Sequence, residues 1–296
     1  MIAIVGATGN IGSKTAEILL SSGKTIRAIA RNAEKLSHLK AQGAEIAVGD
    51  SGDANFLSEA FTGAEAVLLM IPSRHDAQDI KKYQDQLGIA QVEAIKKAGV
   101  KNVLLISSQG GHTEEKTGIV AGLARQEVRL NALPDDVNVL SLRPSFFMEN
   151  TFNSIGLIKN MNINGSSIKP DVKQPMIATQ DIAKVAAEKL NNLDFTGKTH
   201  LDLLGDRDYT MTEVTKIIGE AIGKPELPYV EFTYADEKNA LMQYGISESM
   251  ADAYIGLYEG INIGQLTQGV RNEQTTTATT LEEFANQTFK FAYAGA

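Results

Sequence analysis

The sequence predicts an α/β protein with a doubly wound parallel sheet and a smaller, mostly helical C-terminal lobe. Three observations support this prediction. The chain opens on the apolar run Met1–Val5, and the glycine-rich turn Gly6–Gly12 follows it directly. Short apolar strands then alternate with amphipathic helical segments through most of the first half. Beyond Arg143 this alternation gives way to helical patterns.

Four glycines predict the ends of successive helices in the first half, because glycine readily adopts the left-handed conformation that closes a helix. They are Gly23, Gly43, Gly63 and Gly99. An apolar strand is predicted after each, over Thr25–Ala30, Glu45–Val48, Ala66–Ile71 and Asn102–Ile106. Longer helices are predicted over Asp76–Ala98 and Ile119–Leu133, and a further strand over Val137–Leu142. Strands that alternate with helices pair in parallel through right-handed crossovers, as in the Rossmann fold.

The second half is predicted to begin with a loop over residues 160–175, where Asn, Gly and Pro are frequent. A helix is predicted over Asp181–Leu190, and the capping boxes Thr210–Glu213 and Thr280–Glu283 each predict a helix start. We therefore divide the chain into residues 1–150, which hold the sheet, and residues 151–296, a lobe with segments that return to the sheet.

Composition excludes several classes of function. The chain has 296 residues, no cysteine and a formal net charge of −8, which disfavours non-specific binding to nucleic acid or an anionic membrane. Disulfides and thiolate metal sites are excluded, and the four dispersed histidines predict no metal site. No apolar run approaches the ~20 residues that span a bilayer, and a core strand at Met1 leaves no room for a signal peptide. We expect a cytoplasmic protein.

The glycine-rich turn predicts a dinucleotide site, because the N–H groups of such a turn and of the following helix start bind a pyrophosphate. The predicted contacts are Gly6, Thr8, Gly9, Asn10 and Ile11. The second strand ends at Arg31, with no carboxylate there to bind the ribose 2′-hydroxyl of NAD. Since an arginine favours a 2′-phosphate, we predict NADP(H) in preference to NAD(H). A solvated arginine before a helix is the alternative interpretation.

The chain resembles the NmrA-like group of atypical short-chain dehydrogenases, which includes NADPH-dependent quinone, azo-dye and triphenylmethane-dye reductases. The resemblance covers nearly the whole length and rests on several motifs. They are the glycine turn, Arg31, Gly49-Asp50, Leu105–Ser108, Arg143–Asn150, Gln180–Ala183 and Tyr209–Glu213. The glycine turn occurs in many dehydrogenases, whereas Arg143–Asn150 is considerably more specific.

The resemblance also implies roles for further residues. It places Asp50, Ile71, Pro72 and Ser107 at the cofactor and Phe146, Phe147, Met148 and Asn150 around the substrate. Large apolar side chains suit a flat aromatic acceptor, although ordinary core packing accounts for them equally well. The loop histidines His75 and His112 are further candidates for the substrate pocket, with solvated side chains as the alternative.

One departure from the wider short-chain dehydrogenase pattern concerns the proton donor. The helix after the fifth strand in that group carries Tyr-x-x-x-Lys, whereas Gly118–Arg125 contains neither residue. Only Arg125 stands near the lysine position, and we predict that it contacts the cofactor. Tyr234 and Lys238 have the right spacing but lie in the lobe, so we interpret that match as chance. Hydride transfer to a quinone or a cationic dye requires little built-in acid, because the product charge is delocalised or absent.

Three functions follow from these observations. The first is an NADPH-dependent reductase of quinones or dye-like conjugated acceptors, with no catalytic residue assigned. The second is a non-catalytic NADP(H) sensor that acts through a protein partner, because the missing Tyr and Lys fit that function equally well. The third is a dehydratase or isomerase that uses a different acid. The number of subunits stays open, and a homodimer is one outcome.

Overall fold

A computed structural model describes residues 1–296 and contains a seven-stranded parallel sheet between two layers of helices. The strands in chain order are β1 (Ile2–Val5), β2 (Ile26–Ala30), β3 (Glu45–Val48), β4 (Ala66–Leu69), β5 (Asn102–Ile106), β6 (Asn138–Pro144), β7 (Phe146–Phe147), β8 (Asn164–Ser166), β9 (Gln174–Ile177), β10 (Lys198–Leu203), β11 (Asp208–Tyr209) and β12 (Tyr229–Glu231). The helices are α1 (Asn10–Ser21), α2 (Ser37–Ala41), α3 (Ala54–Phe61), α4 (Ile80–Ala98), α5 (Ala121–Asn131), α6 (Ile155–Met161), α7 (Thr179–Asn192), α8 (Met211–Ala221), α9 (Tyr234–Gln243), α10 (Glu248–Asn262), α11 (Leu281–Phe284) and α12 (Lys290–Gly295).

The main sheet has the strand order β10-β6-β5-β4-β1-β2-β3, and every neighbouring pair in it is parallel. The chain winds outward from β1 in one direction through β2 and β3, and then in the other direction from β4. The order therefore reverses between β1 and β4. In open α/β sheets, ligands bind at such a reversal, outside the carboxyl ends of the strands.

Each face of the sheet carries its own apolar core, because successive side chains of a strand point to opposite faces. In β1, Ile2 and Ile4 pack into the core under α1, α2 and α7, whereas Ala3 and Val5 pack into the core under α3, α4 and α5. All four are buried, as expected for a strand that is covered on both sides. The predicted doubly wound sheet is confirmed.

Most predicted elements agree with the structure, and the differences lie where the chain leaves the sheet. The strand predicted to reach Ile71 ends at Leu69, and the helix predicted from Asp76 begins at Ile80 behind an Asp79 cap. The stretch 160–175 is not one loop, because it contains the end of α6, all of β8 and the first residues of β9. The two predicted capping boxes and the four glycine helix ends are present.

The lobe packs helices around a third apolar core, beside a three-stranded sheet, β11-β9-β7, and a two-stranded sheet, β12-β8. Its α7 and β10 return to the main sheet, where β10 forms one edge and α7 packs on α1. The boundary at residue 150 stays a prediction. None of the helices has the length and hydropathy that a membrane crossing requires.

Candidate active site

A cavity of about 690 Å³ lies between the carboxyl edge of the main sheet and the lobe. About half of its lining residues are apolar and most of the others are polar, so it can hold a ligand that has both apolar and polar parts. Several of the predicted site residues line it, namely Ile11, Ile71, Pro72, His75, Ser107, Phe146, Phe147 and Asn150. Ile71 and Pro72 line the cavity because β4 ends at Leu69 and the chain leaves the sheet before it reaches them.

The glycine turn forms an open cradle at the start of α1. Gly6 has φ +73°, and a Cβ on Gly12 would stand 2.4 Å from the Gly6 carbonyl oxygen, so both positions require glycine. No side chain caps the first turn of α1, and no acidic residue lies in it. Thr8, Gly9 and Asn10 are exposed. The helix N–H groups are therefore free to bind an anionic group, which fits the predicted pyrophosphate site.

Arg31 follows β2 with an exposed side chain that forms no ion pair or hydrogen bond within the protein. Arg74, after β4, lies with its guanidinium 5.6 Å from the centre of the Tyr83 ring. Burial raises the pKa of Tyr83, and the positive charges of Arg31 and Arg74 partly oppose that effect. Arg74 pairs with Asp76 at 3.1 Å, and the carboxylates of Asp50 and Asp76 also act on Tyr83. Arg31 is therefore the one of these two arginines whose charge has no ion-pair partner.

A buried ion pair holds the serine at the end of β5. The Ser107 hydroxyl donates to Oε1 of Glu127 at 2.5 Å, and Arg143 donates to the same carboxylate at 3.0 and 2.6 Å. A Cβ on Gly111 would stand 2.4 Å from that carboxylate, so glycine is needed there. Glu127 is not among the site residues predicted from the sequence, although it shares a helix face with Ala124 and Leu130, and that spacing predicts a buried position.

Three polar side chains in the cavity wall have a buried oxygen without a partner. The atoms are Oε1 of Gln109, Oγ of Ser145 and Oε1 of Gln174. Buried polar atoms are nearly always hydrogen-bonded, so unpartnered ones beside a cavity indicate a bound polar group or water. Gln109 and Ser145 follow β5 and β6, and this part of the wall lies at the sheet edge where a dinucleotide is expected.

The lobe contributes titratable side chains to the same cavity. His75 and Tyr254 lie 3.3 Å apart between ring nitrogen and hydroxyl oxygen. Glu237 is 9% exposed, and its Oε2 accepts the backbone N–H of Ser167. Burial raises the pKa of Glu237 and also that of Tyr258, which lines the cavity near it. Glu237, Tyr254 and Tyr258 are not among the site residues predicted from the sequence, although the spacing of Tyr254 and Tyr258 indicates one helix face.

Several predicted residues are not brought to the cavity. Met148 is completely buried in the core of the lobe, where it packs away from the cavity wall. Arg125 instead pairs with Asp85 at 2.7 Å and Glu114 at 2.8 Å, so its guanidinium is already occupied. His112 is an exposed loop side chain, and the exposed Asp50 accepts the backbone N–H of Gly52.

The Tyr-x-x-x-Lys spacing in the lobe has a structural explanation. The hydroxyl of Tyr234 accepts a hydrogen bond from Asn262, and Lys238 pairs with Glu248 and Asp252 on α10. These contacts hold α9 against α10, which supports the interpretation of the spacing as chance.

Comparison with known proteins gives relatives of similar length. The chain is 28% identical over 260 residues to an NAD(P)H azoreductase of Xenophilus azovorans, covering 87% of this chain and 86% of the relative. It is 29% identical over 258 residues to quinone oxidoreductase 2 of Escherichia coli strain K12, covering 85% of each.

Among solved structures, the NADPH complex of an NADPH-dependent quinone oxidoreductase from Escherichia coli superposes with a TM-score of 0.82 at 26% identity, over 98% of this chain and 100% of the other. A triphenylmethane reductase of Citrobacter sp. in complex with NADP(H) shares the fold, with a TM-score of 0.82 at 23% identity, over 97% of this chain and 99% of the other. The model of the NmrA-like family matches residues 1–285. The chain therefore belongs to the NmrA-like family.

Proposed function

We propose that the chain is an NADPH-dependent reductase of quinones and related conjugated acceptors. The observation that carries the proposal is one continuous cavity, which joins the open end of the main sheet to a wall of apolar and polar side chains formed by the lobe. The named relatives, an NAD(P)H azoreductase and a quinone oxidoreductase, support the same class of reaction.

The preference for NADPH over NADH rests on charge. Arg31 follows β2, at the position where NAD-binding proteins carry a carboxylate that binds the ribose 2′-hydroxyl. The Arg31 guanidinium forms no ion pair within the protein. Arg74, beside Tyr83, already pairs with Asp76 at 3.1 Å, so the proposal rests on Arg31. An arginine binds a phosphate through charge-assisted hydrogen bonds, so this region fits the 2′-phosphate of NADP(H).

Backbone and side-chain groups of the chain would bind the coenzyme and orient the acceptor. The turn around Gly6 and Gly12 would hold the pyrophosphate, and the unpartnered oxygens of Gln109 and Ser145 would accept hydrogen bonds from polar groups placed at the sheet edge. When bound, the nicotinamide supplies a hydride, that is, two electrons and a proton. Phe146 and Phe147 offer flat apolar surface against which a conjugated acceptor would stack.

The test is the consumption of NADPH and, in parallel, of NADH with a panel of quinones, azo dyes and cationic triphenylmethane dyes. We expect turnover with at least one of these acceptors and a higher kcat/KM with NADPH. Tight binding of NADPH without turnover across the panel would contradict a reductase and favour the NADP(H) sensor. No binding of either coenzyme would contradict both functions.

A further inference from the structure

The lobe presents a carboxyl group to the cavity in a setting unusual for a glutamate. Glu237 lies on α9 and is 9% exposed, and no lysine, arginine or histidine forms an ion pair with it. One carboxyl oxygen, Oε2, accepts the backbone N–H of Ser167. The other oxygen, Oε1, has no hydrogen bond within the protein. It is not among the fully buried atoms, which agrees with the position of Glu237 in the cavity wall. A buried carboxyl without a cation favours its neutral form.

The titratable groups that face Glu237 carry no positive charge that would stabilise its ionised form. They are Tyr258 on α10 and Tyr229 on β12, and burial raises the pKa of each phenol, so both stay neutral near neutral pH. The Tyr229 hydroxyl is engaged with Ser166 and Ile168. The Tyr258 hydroxyl forms no hydrogen bond within the protein. Two groups able to donate a proton or a hydrogen bond thus stand in the lobe wall.

The Glu237 carboxyl and the Tyr258 hydroxyl lie where they could contact one oxygen of an acceptor that carries an oxygen at each end. The sheet edge, with Ile71, Pro72 and Ser107, forms one wall of the cavity, and the lobe forms the other. A para-quinone that takes a hydride from the sheet side becomes an anion, and conjugation spreads its charge to the oxygen at the opposite end. In an acceptor that lies across the cavity from one wall to the other, that oxygen would meet the lobe wall, and it needs a proton there.

We propose that Glu237 is the proton donor for quinone reduction and that Tyr258 donates a hydrogen bond to the same oxygen. The overall change is quinone plus hydride plus proton to hydroquinone, with the reduced nicotinamide as the two-electron donor. The O–H bond of the Glu237 carboxyl breaks, a new O–H bond forms on the acceptor, and solvent water returns a proton to the carboxylate. The arrangement resembles other sites where an apolar setting keeps a carboxyl neutral so that it can donate. This assignment rests on the proposed reductase function.

A comparison of two kinds of acceptor distinguishes a proton-donor role of Glu237 from a structural role. Reduction of a quinone requires a proton, whereas a cationic triphenylmethane dye that accepts a hydride becomes neutral without one. For Glu237→Gln we expect kcat with 1,4-benzoquinone to fall about a hundredfold, as loss of a general acid does. The rate with the cationic dye should stay close to the wild-type rate. In the wild type, kcat for the quinone should fall as pH rises through the pKa of Glu237, and the variant should lose this dependence.

Infrared spectroscopy of the free protein gives a readout that does not depend on activity. A neutral carboxyl shows a C=O stretching band, and we expect one near neutral pH in the spectrum of the wild type minus that of Glu237→Gln. The difference removes any band from other buried carboxyls such as Glu149, whose pKa burial also raises. The matched control is Glu259→Gln, an exposed glutamate one residue from Tyr258, which should keep both the band and the activity.

The two proposals fail in different ways. A wild-type protein that reduces quinones but gives no such band in the difference spectrum, or an equal loss of quinone and dye reduction in Glu237→Gln, would overturn the role of Glu237 alone. A wild-type protein that oxidises no NADPH with any acceptor would overturn the reductase itself.

Discussion

Ser107 and Glu127 meet at the carboxyl end of β5, where the serine hydroxyl donates to the glutamate at 2.5 Å. Arg143 completes the group from the neighbouring strand β6, with its side chain 13% exposed and that of Glu127 5% exposed. The pair thus fixes the position of a cavity-lining serine from behind. Removing one member of a buried ion pair is costly, because the other charge is left without compensation.

Glu127→Gln should therefore destabilise the protein by about 3 kcal/mol, because Arg143 keeps its charge and loses its counter-ion. Urea unfolding followed by circular dichroism measures the change. Glu93→Gln on the exposed face of α4 is the control, and it should leave the unfolding midpoint unchanged. Equal midpoints for the two variants would show that the buried pair does not stabilise the fold.

Arg31→Ala should weaken NADPH binding about ten- to a hundredfold and leave NADH binding nearly unchanged, because a hydrogen bond to a charged group contributes roughly 1.5–3 kcal/mol. Calorimetric Kd values for the two coenzymes measure the effect. Lys40→Ala, an exposed lysine at the end of α2, serves as the control for a lost positive charge. The same loss of affinity for both coenzymes would contradict a contact with the 2′-phosphate.

Gly12→Ala should disturb the glycine turn, because its Cβ would lie 2.4 Å from the carbonyl oxygen of Gly6 and the backbone must shift. Overpacking of this kind costs about 1–3 kcal/mol, and we expect a matching loss of thermal stability together with weaker NADPH binding. In Gly295→Ala the added Cβ meets no atom within 4 Å, and Gly295 does not line the cavity, so that variant is the control. If both variants keep the wild-type Tm and Kd, the close approach in the turn is not required.

Asp181 connects α7 to the segment before α11, since its Oδ2 accepts the backbone N–H of Thr279 at 2.9 Å and its Oδ1 pairs with Lys184. Burial raises the pKa of Asp181, but these partners outweigh it and hold the pKa below the ordinary value of 3.8. A lowered folded-state pKa contributes stability above the unfolded-state pKa, and this contribution is lost as pH falls through the folded value.

Asp181→Asn should therefore be less stable than the wild type at pH ~7, by about 1–3 kcal/mol. The difference should shrink below pH 3.8, as the wild-type carboxylate takes up a proton. Thermal unfolding across this pH range measures it, with the exposed Asp171→Asn as the control. A difference that does not change with pH would contradict the role of the charge.

The fold could be predicted because its signals are local. Apolar strands, glycine helix ends and capping boxes each depend on a few neighbouring residues, and the order in which they follow one another predicts a parallel sheet. The errors lie where tertiary contacts decide. The apolar stretch after Leu69 predicts a longer strand, yet Ile71 and Pro72 leave the sheet to line the cavity.

The candidate site could be predicted only in part, since its two walls come from distant segments. The residues after β1, β4 and β5 could be placed because a parallel sheet brings the ends of its strands to one edge. Which side of a loop or helix faces the cavity is decided by packing, so Met148 lies in the core of the lobe while Phe146 and Phe147 line the cavity. Glu237 and Tyr258 are about 130 to 150 residues from Ser107, and no local pattern joins them to it.

Calorimetric titration of the wild-type protein with NADPH and with NADH tests the central claim most directly. We expect a saturable heat of binding at a single class of site for both coenzymes, because the open start of α1 favours the pyrophosphate that they share. The Kd should be lower for NADPH, because only NADPH carries the 2′-phosphate that Arg31 would bind. No heat of binding with either reduced coenzyme would contradict the claim that the glycine turn and the cavity form a nicotinamide dinucleotide site.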